Sequence, residues 1–414
     1  MTKQDIGNAM VGQSGGPTAA INASLSGVIR GVRKSPSISK LYGLRNGIEG
    51  LLEKRWICLS DTVCEEEQLR LLEQTPASAL GSCRKRLPSP DSEQEEDVAV
   101  YKQIFSIFTE QRIRYFFYIG GNDSMDTVDK LHRYAQKNGY PISIVGIPKT
   151  IDNDLPCTDH TPGYGTAAKF IATTVQEILR DCAVYTKPAV TIIELMGRDA
   201  GWLTAASALG RFVGGHEPDL VYLPERVFDL EAFLNRVEEQ LKKHPNVVVA
   251  VSEGLRYANG HAVGEGHQSG VIDAFGHQYL SGTGKALEME IRARFGCKAR
   301  TVELNLPQRC TAHILSKTDV HESVAIGEAA VKAALNGESG KMMVFRRKDT
   351  AEYECEIDSV AVAQVANQSR YVPDAFINEN GDNVTDECCA YLLPLIQGEY
   401  EVLYKNGLPI HYIL

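Results

Sequence analysis

Five short apolar runs, each breaking into a polar or glycine-bearing tip, constrain this chain more than any other feature: 8–11, 114–119, 142–147, 190–195 and 246–252. Runs of this length, rich in Val, Ile and aromatic residues and without strict polar alternation, read as strands buried on both faces. Helical periodicity lies between them. In 229–244, Leu230, Phe233, Leu234, Val237 and Leu241 form one stripe, Asp229 caps the start, and Lys242, Lys243 and His244 complement the end before Pro245. Further helices are expected at 18–33, from a cap at 89–92 through 111, at 166–180, at 199–209, and at 319–335 capped by Thr318 or Asp319. Short strands are expected at 220–223 and 301–306, more strands at 342–346 and 354–357, and then a tail helix. Residues 256–283, rich in Gly and His, read as a long loop or insertion. Alternating strands and helices imply an α/β fold of doubly wound parallel sheets. Ligands in such folds bind beyond the carboxyl ends of strands. The polar tips 12–17, 120–124, 148–154, 196–198 and 252–254 all fall there.

The bulk properties narrow the function. The 414 residues suffice for two domains. A formal net charge of −10 opposes nucleic acid or an anionic membrane as the partner, so any anionic ligand needs locally concentrated cations. No run approaches the ~20 apolar residues of a membrane span. Residues 1–7 carry no apolar signal core. The ten cysteines are scattered without metal spacing, which predicts free thiols in a reducing cytoplasm.

Among the tips, Pro148-Lys149-Thr150-Ile151-Asp152-Asn153-Asp154 carries the most chemistry. Carboxylates at i and i+2 on extended chain point the same way. With a lysine three residues before the first, they suit phosphate, metal and proton chemistry better than a core. Gly15 and Gly16, between a strand and a helix, can cradle an anion or simply make a tight turn, and alone they favour the turn. No Gly-Lys-Ser/Thr follows, so this is not a Walker loop. Arg84, Lys85 and Arg86 alone read as a solvated basic tip. Ser124 alone caps a helix, yet the whole Gly120-Gly121-Asn122-Asp123-Ser124 cluster exceeds that need. Arg198 offers a fork that matches phosphate. Glu253 is either a cap acceptor or a ligand to sugar hydroxyls, and Arg300 and Arg309 flank one probable strand.

Taken in order, these residues resemble the phosphofructokinases, and most closely their pyrophosphate-dependent branch. The match spans Gly12 to Gly337 and includes Ser14-Gly15-Gly16, Gly81-Ser82-Cys83-Arg84, the Gly-Gly-Asn-Asp-Ser tip, Pro148–Asp154, Met196-Gly197-Arg198, Ser252-Glu253-Gly254 and Gln308-Arg309. The resemblance implies two α/β domains with the active site between them. The donor domain would be 1–165, completed by part of 310–400, and the fructose 6-phosphate domain 166–309. Residues 340–414 would be a family-variable segment without a transferable motif. The implied activity is phosphoryl transfer from pyrophosphate to the 1-hydroxyl of fructose 6-phosphate, with Mg²⁺, in a cytoplasmic homodimer or homotetramer.

The resemblance also assigns roles. Asp152 matches the general base. Thr150, Ile151 and Asp154 match its neighbours around acceptor and metal. Met196, Gly197, Arg198 and Glu253 match the sugar contacts, and Arg300 and Arg309 the clamp on the 6-phosphate. Gly15, Arg84 and Ser124 match the donor-phosphate contacts. Three positions depart from the family pattern. Asn122 stands where ATP enzymes hold magnesium with aspartate, Leu306 where His or Tyr is usual, and Lys187 is the nearest substitute for an arginine lent across the subunit interface.

Two positions bear on the donor. ATP enzymes resemble Gly-Gly-Asp-Gly-Ser and Pro-Gly-Thr-Ile-Asp-Asn-Asp, whereas this chain has Asp123 and Lys149 in place of the glycines. A carboxylate at Asp123 would take the space and charge of an α-phosphate, and Lys149 would stabilise pyrophosphate in the transition state. The alternatives are an ATP-dependent sugar kinase, a non-catalytic regulatory subunit, and a lipid or NAD kinase. Asp123 and Lys149 oppose the first. An intact Asp152 and arginine clamp oppose the second, and the Met-Gly-Arg and Thr-Ile-Asp-Asn-Asp motifs oppose the third.

Overall fold

The computed structural model describes residues 6–265 and 282–414, so most of the expected 256–283 loop lies outside the described residues. The strands are β1 Gly7–Gln13, β2 Ile38–Leu44, β3 Trp56–Cys58, β4 Ile113–Gly120, β5 Ser143–Pro148, β6 Ala189–Leu195, β7 Leu220–Tyr222, β8 Asn246–Ser252, β9 Lys298–Glu303, β10 Lys341–Arg347 and β11 Cys355–Ala361. The helices are α1 Ile21–Arg33, α2 Gly47–Leu52, α3 Leu59–Thr62, α4 Glu66–Gln74, α5 Glu95–Glu110, α6 Asn122–Lys137, α7 Tyr164–Cys182, α8 Trp202–Ala205, α9 Leu230–Lys243, α10 Thr283–Phe295, α11 Pro307–Cys310, α12 Lys317–Leu335 and α13 Asp386–Leu392.

Two sheets organise these elements. One runs β11-β10-β5-β4-β1-β2-β3, the other β7-β8-β6-β9. The second is parallel throughout. The first is parallel in its centre, as a doubly wound fold requires, and carries an antiparallel strand at each edge, β3 against β2 and β11 against β10. Because β10 and β11 join the first sheet, the late segment is structural and not an appendage. Apolar clusters cover both faces of each sheet. In the first, α1, α4 and α12 line one face and α5 and α6 the other; in the second, α7 lies on one face and α9 and α10 on the other. Burial on both faces is why these strands read as continuous apolar runs.

The chain reverses direction across the first sheet between β1 and β4. Helix α1 leaves β1 to one face and α6 leaves β4 to the other, which opens a crevice at their carboxyl ends. The second sheet does the same between β6 and β8. Registers Gln13↔Ile119, Gly120↔Pro148 and Leu195↔Ser252 bring the tips level.

Several boundaries differ from expectation. Helix α12 begins at Lys317, and its cap is Ser316, whose Oγ accepts from the Asp319 amide at 3.3 Å. Asp319 is instead turned inward, accepting from the amides of Gly163 (2.8 Å) and Thr166 (2.9 Å) at the start of α7. Residues 199–209 give only the short α8, followed by a 3₁₀ stretch, Ala206–Phe212. Helix α1 starts at Ile21 and α5 at Glu95, since the glycine loop and the serine cluster before them stay irregular. Strand β9 lies three residues earlier than expected, and the tail ends in a small hairpin, β12 Tyr404–Lys405 with β13 Leu408–Pro409. Elements β2, β3 and α2 to α4 lie outside the expected elements, although α4 has a capping box at Glu65 and Gln68 and buries Leu69 and Leu72. All ten cysteines are free. No helix among the described residues is long and apolar enough to cross a membrane.

Candidate functional site

The strand tips line one polar cavity of about 440 Å³ between the two sheets. From the first sheet come Gly15, Arg84, Asn122, Asp123 and Ser124, with Lys149, Thr150, Ile151, Asp152 and Asp154 from the β5 tip. From the second come Met196, Arg198 and Glu253, with Arg309 from α11. Residues far apart in sequence therefore share one space, because each follows a strand whose carboxyl end faces the same crevice.

The β5 tip is a fixed turn. The Asp152 amide donates to Thr150 Oγ1 at 3.1 Å, and that hydroxyl donates to Asp152 Oδ2 at 3.3 Å. Asn153 is fully buried with positive φ, and its side-chain amide finds no partner among the described residues. Burial pushes the Asp152 carboxyl up, opposed by the Thr150 hydrogen bond and by Lys149, Arg198 and Arg309. Burial and the Asp152 charge raise Asp154 to about 7. Both carboxylates are thus ionised only at some cost, which favours a cation beside them.

Lys149 is 2% exposed, and burial lowers its pKa to about 8 although Asp152 and Asp154 pull it up. Its ammonium donates to the Gly16 carbonyl. Gly15 has φ +79, and a Cβ there would stand 3.3 Å from Lys149 Nζ, so a larger residue would crowd the cation. The Gly15 amide donates to the Cys83 carbonyl at 3.2 Å. The Gly15 amide is thus engaged within the protein, while Gly15 itself lines the cavity beside Lys149. Ser14 Oγ donates to the same carbonyl at 3.1 Å, which ties the segment carrying Arg84 to the tip of β1.

On the second sheet, Glu253 Oε1 accepts from the Gly197 amide at 3.2 Å, and Ser252 Oγ donates to the Gly197 carbonyl at 2.5 Å. Gly197, with φ +132, shapes the turn without lining the cavity. Burial raises Glu253 to about 8. Gln308 Oε1 accepts from the Met196 amide at 3.2 Å, which sets α11 against this turn. Arg198 Nε and Thr18 Oγ1 are buried on the cavity with no partner among the described residues, the state expected of groups awaiting a polar ligand.

Some expected residues are not brought in. Arg300 lies on the edge strand β9 opposite Thr191, with its guanidinium 3.8 Å from Asp181, outside the cavity. Lys187 is exposed just before β6, at the far end of the sheet from the tips. Asn122 lines the cavity, but both ends of its carboxamide are engaged: Nδ2 donates to the Gln368 carbonyl and Oδ1 accepts from the Asn367 amide. These two contacts hold a turn of the late segment against the start of α6.

The structure also adds residues. Arg86 reaches Asp123 at 2.9 Å, so the basic tip is part of the site and not merely solvated. Asp199 joins from beyond β6, and Asn367 and Ser369 join from the late segment. The dipeptide after Met-Gly-Arg could have flagged Asp199; nothing in the sequence around 367–369 signals a site. Among the described residues, no group of three or more His, Cys, Asp or Glu could hold a metal ion. The carboxylates on the cavity nonetheless fit magnesium, which takes one or two carboxylates and completes its shell from substrate phosphates.

A family model described as phosphofructokinase matches residues 8–334. A Halomonas elongata protein named pyrophosphate–fructose 6-phosphate 1-phosphotransferase is 42% identical over 97% of this chain and 94% of its own. A Methylococcus capsulatus protein of the same name matches at 42% over the same shares. The crystal structure of a pyrophosphate-dependent phosphofructokinase from Nitrosospira multiformis superposes with a TM-score of 0.87 at 35% identity, covering 99% of this chain and 96% of that one.

Proposed function

The chain belongs to the phosphofructokinase family, and on that premise we propose that it transfers a phosphoryl group reversibly between pyrophosphate and the 1-hydroxyl of fructose 6-phosphate. One observation carries this reading. A buried lysine, Lys149, and a raised carboxylate three residues on, Asp152, face a single polar cleft walled by arginines from two sheets. The first sheet, with β10 and β11, forms the donor half of the cleft, and the second sheet the sugar half.

In this mechanism Asp152 accepts the proton of the sugar 1-hydroxyl as its oxygen attacks the nearer phosphorus of pyrophosphate. An O–P bond to the sugar forms, the bridging P–O bond breaks, and inorganic phosphate leaves with the bond's electrons. Lys149 and Arg84 balance the charge on the phosphoryl groups, and Ser124 is placed to hydrogen-bond the donor. Such transfers depend on positioning and charge stabilisation more than on covalent chemistry. Asp152 and Asp154 are the oxygen donors that fit a divalent metal, in our reading Mg²⁺. When bound, the metal would offset charge on both phosphoryl groups. Arg198 and Arg309 hold the sugar phosphate, and Glu253 and Met196 the sugar body. Arg300 and Lys187 could serve a sugar phosphate only across an interface with a second copy, consistent with a homo-oligomer. We place the protein in the cytoplasm.

The test is a coupled assay with fructose 6-phosphate and either pyrophosphate or ATP. Activity with pyrophosphate alone is expected, and activity with ATP alone overturns the reading.

A further inference from the structure

The late segment walls the donor side of the cleft in a way the motifs do not foreshadow. Asn367 adopts positive φ in a turn that follows two buried anchors, Val362 and Val365. Asn122 grips this turn at the Asn367 amide and the Gln368 carbonyl. One helical turn further along the same face of α6, Asp126 Oδ1 accepts from Asn367 Nδ2 at 3.1 Å. The far end of the turn is equally fixed. The Arg370 amide donates to the Asp154 carbonyl at 2.7 Å, and its guanidinium donates to the Thr158 carbonyl at 2.7 Å and lies 4.5 Å from the Trp202 ring. The segment thus bridges the start of α6 to the loop after β5. On the neighbouring face of α6, Arg86 closes on Asp123 at 2.9 Å.

We infer that the 367–369 turn, pinned by Asn122 and Asp126, is a length gate: it bounds the donor pocket so that two phosphoryl groups fit, and a third group or a nucleoside extending over the first turn of α6 does not. Asn122 acts through this turn and is a positioning residue. The inference rests on the pyrophosphate reading and adds to it a second determinant of donor choice, separate from Asp123. The wall can discriminate because this turn, although solvent-exposed, is tied at both ends, by Asn122 and Asp126 and by the Asp154 carbonyl, and moving it breaks these contacts together.

The experiment compares pyrophosphate, tripolyphosphate and ATP as donors for the wild type, Asn122→Ala and Asn367→Gly. Binding of each is measured by calorimetry alongside turnover. Asn367→Gly preserves the positive-φ turn while removing the contact to Asp126, and so covers the case in which Asn122→Ala folds poorly. In both variants the preference for pyrophosphate over tripolyphosphate should fall by about tenfold or more, while the KM for fructose 6-phosphate stays within about twofold. A preference that stays unchanged in folded variants overturns the inference. So does an Asn122→Ala variant whose only change is a higher magnesium requirement, since that marks a metal ligand. A wild type that fails to use pyrophosphate but still binds it in preference to tripolyphosphate would sink the functional reading alone. A wild type that binds the longer donors equally well would sink the gate.

Discussion

Arg86 Nη2 lies 2.9 Å from Asp123 Oδ1 across the donor end of the cleft. On the proposed reading, the carboxylate that would stand where an α-phosphate sits is partly neutralised, so it would exclude nucleotide more by occupied space than by bare charge. Both side chains are partly exposed, so the pair is a modest, salt-screened contact. Arg86→Ala should leave Asp123 unpaired, raise the KM for pyrophosphate several-fold and increase its dependence on ionic strength. Asp123→Gly should admit ATP at low efficiency, with the 367–369 turn still limiting it. Steady-state kinetics with both donors decide this; if Asp123→Gly excludes ATP as completely as the wild type, other residues set the choice.

Asp152→Asn keeps the turn with Thr150 but removes the proton acceptor. A fall in kcat of ~10²–10⁴-fold is expected, with little change in either KM. Near-normal kcat in the folded variant would remove Asp152 from the role of base.

The pH profile of kcat/KM should be bell-shaped. The acid limb arises from the raised carboxyls of Asp152 and Asp154, the latter at about 7, which take up protons as pH falls. The alkaline limb arises from Lys149, which loses its charge above about 8. Lys149→Arg holds its charge at high pH, so its alkaline limb should move upward even though kcat falls. An alkaline limb that stays in place would assign it to another group.

Stability should respond to the same burial. Asp154 has a folded pKa of about 7, above its ordinary 3.8. The folded state therefore binds a proton that the unfolded state does not between those values, and stability falls as pH rises through that window. Asp154→Asn should melt higher than the wild type at pH 8, with the gap narrowing towards pH 4. Melting curves at both values test the sign.

Arg309→Ala should raise the KM for fructose 6-phosphate with a smaller effect on that for pyrophosphate. The reverse would place the arginine on the wrong ligand.

Helices α1 and α12 cross where Gly27 meets Gly327. A Cβ on Gly27 would stand 2.0 Å from the Val324 carbonyl oxygen, and one on Gly327 2.3 Å from that of Ser24. Either Ala substitution should cost about 1–3 kcal/mol, read as a lower melting temperature. Unchanged melting would mean that the helices part easily.

The apolar runs and their polar tips set the fold class and most of the cleft from sequence alone. A strand buried on both faces must be apolar along its length, and the side chains beyond its carboxyl end must then be chemically distinct. Asp152, Lys149, Arg198 and Glu253 were legible for that reason. Tertiary structure alone decided what depends on packing between distant segments. The Gly15 amide is spent on Cys83 because two loops converge. Arg86 enters the site because its strand-free segment lies along α6. Arg300 leaves it because its place in β9 is opposite Thr191, near the start of β6, and not opposite the tip. Asn122 faces a turn some 245 residues away, a distance in sequence that no local pattern spans. Local periodicity fixes which way a side chain points on its own element; which partner it meets is fixed only when the elements pack.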